Sequence, residues 1–301
     1  MTKIFVTGAT GYVGGDALYT LVREHPEYEI TALVRSKEKG DVVTSQYPSI
    51  RLVYGDLDDS ALLADQVSKA DITCHWANYL RDDTYGIKRD RVFDDWEGLE
   101  EVTSPPEDAP HREVDLAILE GAKKGENTAI VCPPTIYGPG RGPGNKRSIQ
   151  VPELALGSLR RGSALTVQGG ENIWNSVHVH DLSKLFLKLV EAAAQGGGQA
   201  DWGLKGFYYA ENGDFSWKAI AERIAKDAKE QELWKSEKIE DLSVEDANQV
   251  WSYASFFWGT NSRSRAVRAR KVLGWEPEGG DIFEDVADVV ASEAESLGLI
   301  K

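Results

Sequence analysis

The chain has 301 residues, 41% of them hydrophobic and 28% charged, enough to bury about three quarters of its unfolded surface around one or two cores, which excludes disorder and a small disulfide scaffold. Its 34 Lys and Arg against 49 Asp and Glu leave a net charge of −15, which repels polyphosphate backbones and acidic bilayers and argues against general nucleic-acid or membrane binding. Cys74 and Cys132 sit in apolar runs and suit buried thiols, no stretch reaches the ~20 apolar residues of a membrane helix, and the N-terminus opens on a strand-like run, so a cytoplasmic protein is expected.

Lys3 to Thr7 is a short β-prone run that stops at Gly8, and Tyr12 to Glu24 follows with helical spacing through Val13, Ala17, Leu18, Leu21 and Val22. His25 and Pro26 end that helix, after which Glu29 to Arg35 and Ile50 to Tyr54 read as strands. A helix from Asp58 to Lys69 leads to a fourth strand, Asp71 to Ala77, and Thr128 to Pro133 is a later one. Strands that alternate with helices and are apolar on both faces predict a parallel sheet covered on both sides. Ala192 to Gly206, AAAQGGGQADWGLKG, has the composition of a flexible surface linker.

Gly8-Ala9-Thr10-Gly11-Tyr12-Val13-Gly14 lies between the first strand and its helix. Gly8 can make the tight turn, Gly11 lets the backbone approach a pyrophosphate, and Gly14 lets the helix pack close to the sheet, while the helix N-terminus offers N–H donors to phosphate. The position of the turn, directly after the first strand of an α/β alternation, points to dinucleotide binding. At the end of the second strand, where an acid would bond the ribose hydroxyls of NAD, stand Val34-Arg35-Ser36. Arg35 can pair with a 2′-phosphate, helped by Ser36 and by Lys37 or Lys39, so NADP is favoured over NAD.

These residues resemble those of the extended short-chain dehydrogenase/reductase family, which includes NAD-dependent epimerases and dehydratases. Besides TGATGYVGG at 7–15, Gly55-Asp56-Leu57 resembles the family's adenine-contacting GDL element, and His75-Trp76-Ala77-Asn78 ends the fourth strand like its H-x-A segment beside the cofactor. Pro133-Pro134-Thr135-Ile136-Tyr137-Gly138-Pro139-Gly140 resembles the turn that lies against the nicotinamide and opens the substrate domain. Asn175 to Leu182 resembles a V-H-V-x-D-L segment with Asp181 as helix cap, and Ala269 to Pro277 resembles the C-terminal R-x-L-G-W-x-P signature. The resemblance implies a Rossmann fold, a doubly wound parallel α/β sheet over 1–139, with a smaller C-terminal substrate domain over 140–301 partly interleaved with it. It also implies cofactor contacts from Gly8, Thr10, Gly11, Tyr12, Val13, Gly14, Arg35, Asp56, Leu57, Ala77, Asn78, Pro133, Thr135 and Ile136. Tyr137, Asn175 and Arg263 are the candidates for substrate contact. His178 and His180 alternate in the sequence but lack an evident third ligand, so no metal is expected.

The family's Tyr-x-x-x-Lys pair puts a phenol and an ammonium on one helical face, yet no Tyr here is followed four residues later by Lys. In register, P-Y-x-x-x-K-L-A has become Pro110-His111-Arg112-Glu113-Val114-Asp115-Leu116-Ala117. Between the fourth strand and that point lie only Leu80 to Glu113, 16 of whose 34 residues are charged, so a buried central strand ending in a catalytic Ser or Thr cannot be built. Either the strand at 128–133 moves up beside the fourth, or the chain lacks a segment that a longer relative uses. Tyr85 with Lys88 is the nearest surrogate pair, against a charged surface segment as the plainer alternative. His111 with Asp115 could form an acid/base pair, against an exposed ion pair at a helix start.

Trp251, Tyr253, Phe256, Phe257 and Trp258 form a dense aromatic stretch that is either core or a lid presenting rings and the Arg263 guanidinium to a planar or phosphorylated substrate. Two functions fit: an NADP-dependent oxidoreductase or epimerase/dehydratase-like enzyme acting on a small carbonyl or alcohol, or a non-catalytic NAD(P)-binding sensor or scaffold. A shortened product of an active reductase is the third possibility. A small-molecule substrate is the expected partner, and a homo-oligomer is compatible with the sequence.

Overall fold

The computed structural model describes residues 1–74, 84–106 and 112–300. Its first part alternates β1 Lys3–Val6, α1 Tyr12–Glu24, β2 Glu29–Val34, α2 Lys37–Gln46, β3 Arg51–Tyr54, α3 Ser60–Lys69 and β4 Ile72–Cys74. There follow β5 Phe93–Asp94, α4 Leu99–Thr103, α5 Arg112–Lys123, β6 Ile130–Cys132, β7 Thr135–Tyr137, α6 Gln150–Arg161, β8 Ala164–Val167, β9 Ile173–His178 and α7 Val179–Ala194. The chain closes with β10 Phe207–Tyr209, β11 Asp214–Ser216, α8 Trp217–Glu230, β12 Ile239–Leu242, α9 Val244–Val250, β13 Ser264–Arg265, α10 Val267–Leu273 and α11 Ile282–Ser296.

The first four strands form one parallel sheet in the order β3-β2-β1-β4, with Val6 opposite Ala32 on one side and Cys74 on the other. Three of four residues of β1 and five of six of β2 are buried, the both-faces burial that a parallel sheet demands. The sequence misses α2, because KEKGDVVTSQ carries no apolar stripe. Ser36 starts it by accepting the Lys39 N–H at 3.3 Å, and only Gly40 and Val43 bury.

Beyond β4 the sheet is split. β6 pairs with β10, not with β4, so the strand at 128–133 does not move up beside the fourth. Among the described residues β4 has a neighbour on one edge only, and so has β6. A cavity of about 500 Å³ lies between them, lined by Ile72 and Thr73 of β4, Val131 of β6, and Ile118, Leu189 and Trp202 around them. The charged stretch before α5 is more than surface: Phe93 and Val102 are buried, and the fully buried Asp95 carboxylate accepts the Tyr209 N–H at 2.8 Å and the Arg268 N–H at 2.9 Å. The segment predicted as a linker is partly folded back, with Trp202 Nε1 donating to the Gly197 carbonyl at 2.9 Å.

The second half is woven into the first. Val190 of α7 joins the core of Ile4, Val6 and Leu18 under the first sheet, and Leu182 and Leu185 share a second core with Ala17 of α1. A third core gathers Trp174, Trp217 and Trp258 between α6, α8 and α11. Asp16 of α1, fully buried, fastens these parts together. Its carboxylate accepts the Arg141 N–H at 2.8 Å, Nε at 3.0 Å and Nη2 at 2.7 Å, and the Ser183 hydroxyl of α7 at 2.6 Å. Burial works against its charge, but the Arg141 and Ser183 hydrogen bonds hold the carboxyl below its ordinary value.

His178, not Asp181, caps α7: its Nδ1 accepts the His180 N–H at 3.2 Å, while Asp181 receives the Glu278 N–H at 3.0 Å and the Gly279 N–H at 2.6 Å. His178 therefore ends a strand and His180 lies in a helix, instead of sharing a strand face, although their rings meet edge-on at 4.4 Å. Burial, and then His180, push His178 down to about 4.

Two outcomes follow from these contacts. Replacing Arg141 by Met strands a buried carboxylate and is expected to cost about 2–4 kcal/mol in urea unfolding, whereas Arg141→Lys should cost less. Because His178 takes up its proton only near pH 4 when folded and near the ordinary histidine value of 6.5 when unfolded, the unfolded chain binds more protons between those values. The melting temperature is expected to fall as pH drops from 6.5 towards 4, and His178→Asn, which keeps a capping oxygen, to flatten that fall.

Candidate functional site

The glycine turn has the shape its sequence predicts. Gly8 adopts φ +68°, a left-handed conformation that favours glycine, and its carbonyl accepts the Gly11 N–H at 2.8 Å. A Cβ on Gly14 would sit 2.4 Å from the Gly8 oxygen, so helix and turn can approach this closely only with glycine there. Gly11 is the N-cap of α1, makes no side-chain cap, and is followed by a first turn without acidic residues. The first-turn N–H groups thus face outward with the positive end of the helix, a cradle that fits a pyrophosphate.

The segment after β7 clasps this turn, which sequence reasoning missed. Asn145 N donates to the Thr10 carbonyl at 3.0 Å, the Tyr12 hydroxyl donates to the Gly138 carbonyl at 2.6 Å, and a Cβ on Gly142 would strike Gly15 Cα at 2.5 Å. The signal was in the sequence: GPGRGPG at 138–144 carries a glycine at each close approach. Tyr12 is buried there, and burial, then Asp285 and Asp16, push its phenol well above the usual range, so it stays neutral.

The other cofactor candidates gather at the same end of the sheet. Arg35 is exposed just past β2, and Asp56 and Leu57 are exposed just past β3, the open carboxyl ends where such sheets bind ligands. Around Arg35, Ser36 is spent as the α2 cap and Lys37 pairs with Asp41 at 2.8 Å, so of the basic group Arg35 and Lys39 are the side chains without an ion pair among the described residues. Pro133, Thr135 and Ile136 run along β7 and its approach, beside the start of α1. Ala77, Asn78 and His111 lie outside the described residues.

A cavity of about 640 Å³ opens against this turn, walled by Tyr12, Val13, Pro134 and Ile136 on the sheet side. Trp251, Tyr253, Phe256 and Phe257 form the facing wall. The aromatic stretch is thus divided: Trp258 is core, 1% exposed, while the rings before it line the cavity. Trp251 and Phe257 stack at 5.3 Å with planes 15° apart, which holds the wall rigid.

The three substrate candidates are elsewhere. The Tyr137 hydroxyl donates to the Gly280 carbonyl, Asn175 is fully buried and bridges Ser264 and Asp214, and Arg263 donates to Asp214 at 2.7 Å. None of them lines the cavity. Tyr85 lies against Gly259 and Lys88 is exposed, and neither lines it. Asp115 is buried at 2% exposure on α5, and its pairing with His111 lies outside the described residues. Asp115 lies near Cys132, whose thiol burial and then this carboxylate push upward. Among the described residues no helix is long and apolar enough to cross a membrane.

Comparison with known proteins agrees with this architecture. The model of the NmrA-like family matches residues 1–85. A protein named oxidase UcsJ, from an Acremonium species, is 36% identical over 99% of both chains, and a protein of Saccharomyces cerevisiae is 23% identical over 94% of this chain and 97% of its own. The alignment with the Acremonium protein runs over 344 positions against 301 residues here, so at least 43 positions have no residue of this chain opposite them. Among solved structures, the PbgP3 protein of Burkholderia pseudomallei superposes with TM-score 0.66 at 17% identity, covering 100% of this chain and 99% of its own. The dTDP-glucose 4,6-dehydratase of Bacillus anthracis, solved with NAD, superposes with TM-score 0.64 at 14% identity, covering 98% and 97%. With the glycine turn, the split but parallel sheet and the full-length relative together, the chain belongs to the extended short-chain dehydrogenase/reductase family, the NAD(P)-binding proteins of the epimerase and dehydratase kind.

Proposed function

We propose that the protein is an NADP-dependent oxidoreductase acting on a carbonyl or alcohol substrate held in the aromatic-walled cavity beside the glycine turn. The observation that carries this reading is the contact of that cavity with Tyr12 and Val13, the first residues of the uncapped helix, so that one end of a dinucleotide cradled there meets the cavity. Gly8, Gly11 and Gly14 would admit the pyrophosphate, Asp56 the adenosine end, and Arg35 a 2′-phosphate. When bound, the cofactor supplies hydride chemistry. The chain's own part is to orient the substrate, exclude water with the rings, and deliver a proton. The name oxidase borne by the Acremonium relative fits a redox reaction.

The usual Tyr-x-x-x-Lys donor is missing, and neither Tyr85 nor Lys88 lines the cavity. Two phenols do line it. Tyr12 is tied to the Gly138 carbonyl, while the hydroxyl of Tyr253, a residue 59% exposed, has no hydrogen bond among the described residues and is the candidate proton donor.

The split sheet favours a second reading, a shortened product of a longer reductase. β4 and β6 are not paired with each other among the described residues, and the alignment with the Acremonium relative leaves at least 43 positions without a residue of this chain. In that case NADPH binding is expected to be absent from this chain and to appear once the positions that the relative has in addition are restored.

Titration with NADPH and NADH, followed by quenching of the nine tryptophans, tests the first reading. NADPH is expected to bind more tightly, Gly11→Val to lose binding because its side chain enters the pyrophosphate path, and Arg35→Glu to weaken NADPH about tenfold or more while sparing NADH. With a panel of aldehydes and ketones, Tyr253→Phe is expected to lower turnover by about 10²-fold or more with NADPH affinity unchanged; equal turnover would remove Tyr253 from the mechanism.

A further inference from the structure

The cavity beside the glycine turn has an unusual composition for a fold whose solved neighbours include enzymes complexed with sugar nucleotides. Among the described residues not one charged side chain lines it. The arginines nearby in the chain are each committed to carboxylates. Arg147 reaches Glu293 at 2.6 Å and Glu153 at 2.8 Å, Arg141 is held by Asp16, and Arg263 and Arg265 share Asp214. Lys146, exposed next to Asn145, has no ion pair among the described residues but does not line the cavity, so a diphosphate entering this space would lose its hydration without gaining a cation from the described wall. The surrounding chain, at −15, adds repulsion.

What the cavity offers is rings and methyl groups. Trp251, Tyr253, Phe256 and Phe257 face Val13, Pro134 and Ile136, and about 640 Å³ is within the range of cavities that take a drug-sized molecule. Its polar groups are neutral and mostly spent. Tyr12 is bonded to Gly138, and the Asn145 amide is bonded at both ends to the backbone of Arg147, at 3.1 and 3.0 Å. The exceptions are the Tyr253 hydroxyl and Gln150, which lines the cavity, is 6% exposed, and has a side-chain oxygen with no partner among the described residues. An N–H or O–H on a ligand can meet that need.

We infer that this cavity binds a neutral, mostly apolar, ring-containing molecule carrying a hydrogen-bond donor, and not a sugar nucleotide. The inference rests on the oxidoreductase reading in taking this cavity as the substrate site, and it narrows the substrate to a hydrophobic alcohol, or a hydrophobic ketone that also carries an N–H or O–H.

The test is a fluorescence titration with N-phenyl-1-naphthylamine, a neutral two-ring amine whose emission rises in apolar surroundings. Saturable one-to-one binding is expected, with no displacement by millimolar UDP-glucose. Ile149, on the cavity rim and 53% exposed, and Tyr253, 59% exposed, can be changed with little risk to folding. Ile149→Glu and Tyr253→Ala are each expected to weaken the probe about tenfold or more, and Gln150→Leu to weaken it but not its N-methylated analogue, which has no donor. Displacement by micromolar UDP-glucose, or equal binding by Ile149→Glu and Tyr253→Ala, would overturn the inference. NADPH is titrated in parallel on Gly11→Val. Probe binding that survives while NADPH binding is absent even in the parent protein supports the cavity assignment and fails the cofactor reading. NADPH binding without probe binding does the reverse.

Discussion

The geometry of the ligand site depends on one buried carboxylate. Asp16 sits on the second turn of α1, five residues beyond the glycine that caps it, and ties that helix to the loop at Arg141 and to α7 at Ser183. An uncompensated charge at that depth would be costly, so its hydrogen bonds are close to obligatory. They fix where the 138–148 loop lies over the glycine turn, and that loop leads directly into α6, which begins at Gln150. Turn, clasp and cavity are therefore positioned together. The glycines at 142 and 144 permit the approach, and the ion pair makes it favourable.

Much of this was legible in the sequence, and the parts that were not share a physical cause. The first four strands and α1 could be read because their pattern is local: apolar runs of strand length, a glycine turn, and a 3.6-residue repeat. The glycine roles could be read because steric exclusion depends on residue type alone. α2 could not, since it is held by a serine cap and two buried residues and not by an apolar stripe. The cap of α7 was assigned to Asp181 when His178 makes it, because a histidine nitrogen serves as a cap acceptor as an oxygen does, and Asp181 is drawn instead to the backbone of residues 278 and 279.

The substrate candidates show the same boundary. Tyr137, Asn175 and Arg263 carry reactive or recognition groups, but each is used up by partners 39 to 143 residues away in the chain. No local pattern announces such bonds. The aromatic stretch was open between core and lid, and the fold assigns both roles within eight residues, Trp258 inward and Trp251 to Phe257 on the cavity. The family resemblance found the cofactor end well because the glycine turn is one contiguous motif, and served the substrate end poorly because that end is assembled from separate loops.

The division of the parallel sheet has a consequence for how the molecule holds together. In an unbroken sheet, backbone ladders carry cooperativity from one edge to the other, so that opening one strand is resisted by all. Here no ladder among the described residues joins β4 to β6. Mechanical coupling between the dinucleotide-cradling block and the rest passes through the α1 and α7 contact, the Asp16 node and the Asn145 N–H bond to the Thr10 carbonyl, mostly side-chain joints. Side-chain joints loosen one at a time, so the two blocks are free to open as separate foldons, with the 1–74 unit able to breathe without melting the tryptophan-rich core.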